Sequence, residues 1–221
     1  MDACKRKIRI LFIGNSLTYV NDLPEVVRRL FEGVGIEADC FMLAVGGKCM
    51  DYHARQAETA YNIRYGHYDY IVLQGKATGF DPDSFYENGK IIFDKFISGT
   101  GAKPVMYVAW SLRGEAEKQP SMTAAYTKLA GYTGGLVAPA GEAWQKALRL
   151  RPAPEIYKED GNQPTRAGTY LCSLCIFYAI TGRKKSMALG ERGYFSDYGL
   201  DRHAAVAFNR VACEKTREFN S

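Results

Sequence analysis

Apolar and polar positions alternate in blocks along the chain. Residues 8–13, Ile-Arg-Ile-Leu-Phe-Ile, form a short apolar run that breaks at Gly14 into a small polar turn, Asn15-Ser16-Leu17-Thr18-Tyr19. A run of this length, rich in Ile, Leu and Phe, predicts a buried parallel strand. Residues 23–31 follow with helical amphipathicity. Asp22 is the expected N-cap, Pro24 lies in the first turn, Glu25 closes a capping box, and Gly33 and Gly35 end the helix. Residues 36–45 read as a second strand ending in Gly46-Gly47, 50–63 as one helix, and 70–73 as a short third strand. Residues 84–97 read as a helix, 104–110 as a fourth strand, 120–132 as a helix stopped by Gly134-Gly135, 136–138 as a brief fifth strand and 141–150 as a helix. A loop is expected over 151–165, a buried helix over 165–180, an irregular aromatic stretch over 186–195 and an outer helix over 200–219. Strand–helix alternation of this kind predicts a parallel sheet of about five strands covered on both faces, a three-layer α/β/α arrangement.

Composition changes this picture little. The 221 residues are 47% hydrophobic and 24% charged, as expected for one globular domain spanning 1–221 with a sizeable core. The net charge of +5 comes from scattered residues, with tight clusters only at Lys5-Arg6-Lys7 and Arg183-Lys184-Lys185. That distribution fits a solvated surface and excludes a nucleic-acid groove, which needs a concentrated stripe. No apolar run is long enough for a membrane span, and no apolar stretch precedes the first strand as a secretory signal would. A leader removed from a longer precursor stays open. The six cysteines (Cys4, Cys40, Cys49, Cys172, Cys175, Cys213) have no disulfide-framework spacing, so cytoplasmic thiols are the expectation. Cys172 and Cys175 fall mid-helix in an apolar segment without a second pair or a nearby His, which favours core packing over zinc or redox chemistry.

The chemistry gathers at the first strand-to-helix turn. A hydroxyl at the carboxyl end of a central strand sits where open α/β sheets place their ligands, and Ser16 is that hydroxyl. Gly14-Asn15-Ser16-Leu17-Thr18 resembles the first sequence block of the SGNH (GDSL-type) hydrolases, serine esterases and acylhydrolases. The resemblance runs from Ile8 to about Ile180 in the order of its blocks. It implies that Ser16 is the nucleophile and that its backbone N–H is one oxyanion donor. The glycine of the second block matches Gly47 within Val45-Gly46-Gly47-Lys48, as a second donor. The last block resembles a branch that reads Asp-Gly-x-His-Pro before Ala-Gly-Thr-Tyr-Leu; here the segment is Asp160-Gly161-Asn162-Gln163-Pro164, then Ala167-Gly168-Thr169-Tyr170-Leu171. Asp160 is therefore the implied orienting acid. The family works without metal or other cofactor, and no His, Cys or carboxylate cluster here has ligand spacing.

Two positions depart from the pattern. The third oxyanion donor, an Asn or Gln amide in the family, falls on Lys76, with Gln74 near enough to substitute; a Lys ammonium stabilises an oxyanion only as a flexible point charge. The base position holds Gln163, whose amide does not titrate in the useful range and takes no proton from Ser16. Three explanations stay open: a binding protein that has lost the chemistry, an introduced change in a working enzyme, or another base. Among the three histidines, His53 follows the second block and is the candidate alternative. His67 falls at the opposite end of the sheet, and His203 on the last helix. Lys76 is the remaining candidate, as a Ser–Lys pair with a lowered pKa. The expected function is hydrolysis of carboxylic esters, small-acyl or acylated-carbohydrate substrates included, through a degenerate triad. The alternative is a ligand-binding pseudoenzyme that keeps the cleft. No nucleic-acid or membrane partner is expected, and oligomeric state is not legible.

Overall fold

A computed structural model describes residues 7–187 and 194–220. Cys4, Lys5 and Arg6, and most of the irregular stretch expected over 186–195, lie outside the described residues. Five strands form one parallel sheet: β1 (Ile8–Gly14), β2 (Ala38–Ala44), β3 (Tyr70–Leu73), β4 (Lys103–Tyr107) and β5 (Leu136–Ala138), in the spatial order β2-β1-β3-β4-β5. Ile10, Leu11, Phe12 and Ile13 have no exposed surface. This is the signature of a central parallel strand covered on both faces.

Helices flank the sheet on both sides. One layer holds α2 (Leu23–Glu32), α7 (Ala140–Ala147), α8 (Arg166–Thr181) and α9 (Arg202–Phe219), with α8 packed between α2 and α9. The other holds α3 (Met50–His53), α4 (Ala57–Tyr65), α5 (Pro82–Ile92) and α6 (Gln119–Thr133). A further single turn, α1 (Ser16–Tyr19), joins β1 to the first layer through a 3₁₀ turn, Val20–Asp22. The expected three-layer α/β/α architecture is the observed one. Helix α8 is buried along nearly its whole length, and Cys172 and Cys175 in its middle are free thiols packed in the core, pushed above the ordinary thiol range by burial. No helix among the described residues is long and apolar enough to cross a membrane.

Several expected boundaries shift for identifiable reasons. The capping box at Asp22 and Glu25 does not form. Asp22 has left-handed backbone (φ 54°, ψ 55°) and its carboxylate caps nothing. Glu25 instead bonds Arg28 and Arg29 along the helix face, and the hydrogen bond from Arg28 holds its carboxyl down at about 2. The cap at the first crossing belongs to Asn15, one turn earlier. The single helix expected over 50–63 is two helices, because the chain extends at Gln56 (φ −90°, ψ 130°), which leaves His53 turned inward and α4 free to take a new direction. Helix α5 begins at Pro82 under an Asp81 cap and widens into a π-helical turn over Phe93–Ile97. Strand β4 stops at Tyr107, short of the expected Trp110, since its neighbour β5 is only three residues long and Tyr107↔Ala138 is their last register pair. Helix α7 likewise ends at Ala147, three residues early.

Asp81 accepts from the backbone N–H groups of Asp83 and Ser84, both at 3.1 Å, and is the side-chain cap of α5. Asp81→Ala is expected to destabilise the chain by about 1 kcal/mol. Equilibrium urea unfolding at neutral pH checks this as a lower midpoint with an unchanged slope.

Candidate active site

The strand order reverses between β1 and β3. Connections from these two strands leave toward opposite faces of the sheet, the arrangement in which open α/β sheets place their ligands outside the carboxyl ends. Ser16 follows β1 at this point and Gln74-Gly75-Lys76 follows β3. The β1–β3 register ends with Ile13 beside Leu73, so the turn residues of one strand meet those of the other.

Gln74 is completely buried, and its amide oxygen accepts from the Asn15 backbone N–H (3.0 Å) and the Thr18 hydroxyl (2.8 Å). These two bonds seat the turn that carries Ser16. Gly14 makes the approach possible: a Cβ there would stand 2.4 Å from Gln74 Oε1 and 2.6 Å from Thr18 Oγ1. Asn15, also buried, accepts from the Leu17 N–H through Oδ1 (3.1 Å) and donates through Nδ2 to the Lys48 carbonyl (2.8 Å). One side chain thus caps α1 and ties the Ser16 turn to the Val45–Lys48 turn, where Gly47 lies exposed with left-handed backbone (φ 71°). Ser16 itself is half-buried at the start of α1.

The 151–165 segment folds back on itself and brings Gln163 to this turn. Tyr157 and Pro164 form an antiparallel bridge, and Lys158 N–H donates to the Gln163 carbonyl at 2.8 Å. Asp160 Oδ1 accepts from the backbone N–H groups of Asn162 (2.9 Å) and Gln163 (2.8 Å). From outside the segment, Trp110 Nε1 donates to the Asn162 carbonyl (3.0 Å) and Arg113 N–H to the Gly161 carbonyl (2.8 Å). Trp110 is itself stacked on Trp144, ring centroids 4.1 Å apart and planes within 4°. The outcome is one contact across 147 residues of sequence: Gln163 Nε2 donates to Ser16 Oγ at 2.8 Å. Among the described residues no other group is hydrogen-bonded to that hydroxyl. Gln163 Oε1 is buried without a partner.

The other candidates fall in different places. Asp160 is exposed and caps the turn through backbone groups, so it holds the Gln163 main chain and not its side chain; the expected acid-to-base contact is replaced by an Asx-type turn. Gln74 has no exposed surface from which to reach a ligand, and in place of the expected role as substitute oxyanion donor it clamps the Ser16 turn. His53 is 2% exposed with Nε2 at 2.8 Å from the Gly14 carbonyl, which identifies Nε2 as the protonated nitrogen and leaves it no bond to Ser16. Lys76 is half-buried beside the crevice and forms no ion pair among the described residues. His67 is exposed before β3, at the opposite end of that strand from Gln74, and His203 is exposed near the start of α9. Sequence reasoning missed Trp110 and Asn21. The side-chain amide of Asn21 donates to the Pro164 carbonyl (3.1 Å) and the Thr169 hydroxyl (2.9 Å). No local signal marks either residue, because both act on a segment more than fifty positions away.

No family model matches the sequence, and no curated protein matches it. Solved structures do. A DUF4886 family protein from Bacteroides uniformis superposes with a TM-score of 0.71 at 18% identity, over 95% of this chain and 94% of its own. TesA aligns with a TM-score of 0.64 at 11% identity, over 79% of this chain and 98% of its own. A catalytic mutant of Axe2, an acetylxylan esterase from Geobacillus stearothermophilus, aligns with a TM-score of 0.59 at 13% identity, over 80% of this chain and 95% of its own. The likeness is one of fold: the chain shares its three-layer architecture with solved structures that include a putative GDSL-like lipase from Parabacteroides merdae and an acetyl-xylooligosaccharide esterase.

Burial pushes the His53 pKa below its ordinary value. A group held neutral in this way binds fewer protons folded than unfolded, so stability is highest above about pH 6.5 and falls as pH drops through the histidine range. His53→Gln keeps an N–H donor for the Gly14 carbonyl and removes the titration. Between pH 7.5 and 5 the wild-type urea midpoint is expected to fall more than that of His53→Gln; parallel falls would show that His53 does not titrate on unfolding.

Proposed function

We propose that the crevice is a serine-hydrolase-type site for carboxylic esters, of small-acyl or acylated-carbohydrate type, with Ser16 as nucleophile and an amide in place of the base. The observation that carries this reading is the 2.8 Å contact between Ser16 Oγ and Gln163 Nε2. A nucleophile and its activating partner must stand within hydrogen-bond reach, and that spacing is present at the carboxyl end of the sheet. The partner's chemistry is wrong for the task. As a donor, Gln163 Nε2 occupies a lone pair of Ser16 Oγ and withdraws charge from it. Turned over, the amide would offer Oε1, too weak a base to hold the proton. Attack on an ester carbonyl then depends on the unassisted hydroxyl and on donors around the developing oxyanion. The Ser16 N–H, the exposed Gly47 turn and the Lys76 ammonium are the groups available for that role. Slow turnover is the consequence, since loss of a triad base costs about 10⁴-fold or more.

A second reading is favoured by a specific observation, the absence of any titratable group hydrogen-bonded to the Ser16 hydroxyl among the described residues. On that reading the chain binds an ester or acylated sugar without cleaving it. Hydrolysis of p-nitrophenyl acetate separates the two. On the hydrolase reading the wild type is slow, Gln163→His raises kcat/KM by about 100-fold or more toward what a base contributes, and Ser16→Ala in that background abolishes the gain. A fluorophosphonate probe then labels Ser16 of Gln163→His faster than of wild type. Neither cleavage nor labelling in either form leaves the binding reading standing.

A further inference from the structure

Residues 20–22 have an unusual backbone. Asn21 (φ 58°, ψ 19°) and Asp22 (φ 54°, ψ 55°) are consecutive left-handed residues without glycine, at the junction of α1 and α2. Such conformations are uncommon for residues other than glycine, though Asn and Asp tolerate them best, and they persist where surrounding structure holds them. From this backbone the Asn21 side chain reaches across to the 164–169 segment. Its Nδ2 donates to the Pro164 carbonyl at 3.1 Å and to the Thr169 hydroxyl at 2.9 Å, spanning 143 and 148 residues of sequence. Pro164 follows Gln163 directly, and Asn21 lies five positions after Ser16. The bond therefore closes a ring: Ser16 to Asn21 along α1 and its 3₁₀ turn, Asn21 to Pro164 across space, Pro164 to Gln163 along the chain, and Gln163 Nε2 back to Ser16 Oγ. Trp110 and Arg113 hold the far side of the same segment but reach it from the loop after β4, not from the Ser16 turn. Among the described residues, Asn21 makes the direct side-chain link between the Ser16 connection and the backbone beside Gln163.

We propose that Asn21 is a positioning residue: its amide, aimed by a left-handed backbone, fixes Pro164 and so sets the side chain at position 163 against the Ser16 hydroxyl. The geometric claim stands without any turnover, and only its kinetic consequence rests on the hydrolase reading. Asn21→Gly separates side chain from backbone, because glycine adopts φ > 0 freely and loses only the two hydrogen bonds. Thr169→Val removes one acceptor at nearly constant volume and serves as the second variant if Asn21→Gly fails to fold.

Two readouts test the proposal. The first is the ¹H–¹⁵N signal of the Gln163 side-chain amide, identified by its loss in Gln163→His. It is expected to shift in Asn21→Gly in the direction it shifts in Ser16→Ala, and in the same direction but less in Thr169→Val; an unmoved signal in the folded variants overturns the proposal. The second is the KM-against-kcat split in the Gln163→His background, where Asn21→Gly is expected to lower kcat by about 10- to 100-fold, the scale of a misplaced catalytic group, with KM within about two-fold. Unchanged kcat in an active Gln163→His protein also overturns it. An inactive Gln163→His protein would count against the hydrolase reading while the amide signal still decides the role of Asn21.

Discussion

One buried amide oxygen holds the turn on which the site is built. Gln74 Oε1, without exposure to water, takes the N–H of Asn15 and the hydroxyl of Thr18. Buried polar groups left unpaired cost on the order of 1–3 kcal/mol each, so this pairing discriminates strongly against alternative turns. It also dictates the residue before the turn, since any side chain at position 14 would collide with the amide. From that fixed point Asn15 carries the constraint outward to the 45–48 turn. The far wall is set separately, by Trp110, Arg113 and Asn21 acting on the 156–165 fold-back. The two sides meet at Ser16 and Gln163, and Asn21, which follows α1 on the Ser16 side, ties them a second time.

The sequence made the strands and the polar turns that follow β1 and β3 legible because both are written locally. Apolar runs bounded by glycine marked all five strands, two of them, 70–73 and 136–138, at their observed limits. Helix starts were less legible. Asp22-Leu23-Pro24-Glu25 has the composition of a capping box, yet Asn21 and Asp22 take a left-handed junction at which Asn21 bonds a distant carbonyl, and Glu25 goes to arginines. The break between α3 and α4 was hidden for a related reason: His53 turns in to a carbonyl thirty-nine residues away, and nothing in the Ala-rich pattern announces it.

For the site, residue types and order indicated which turns meet, and the Ser16–Gln163 contact joins two of them. What composition does not encode is direction. Asp160 has the type and spacing of a side-chain partner, but in a tight Asp-Gly-Asn-Gln turn its carboxylate is captured by the nearest backbone N–H groups. Gln74 has the type of an oxyanion donor, but the position directly after a central strand buries it. Gln163 does reach Ser16 with its side chain, and its amide nitrogen is the donor in that contact.

The stacked indoles have a spectroscopic consequence. Trp110 and Trp144 are the only tryptophans in the chain, and they form a single near-parallel pair whose one end is bonded to the carbonyl beside Gln163. Intrinsic emission and the near-ultraviolet dichroism of the indoles therefore originate at one spot, against the wall of the crevice. The molecule carries its own optical gauge of whether that wall is in place, readable without a label and without a substrate.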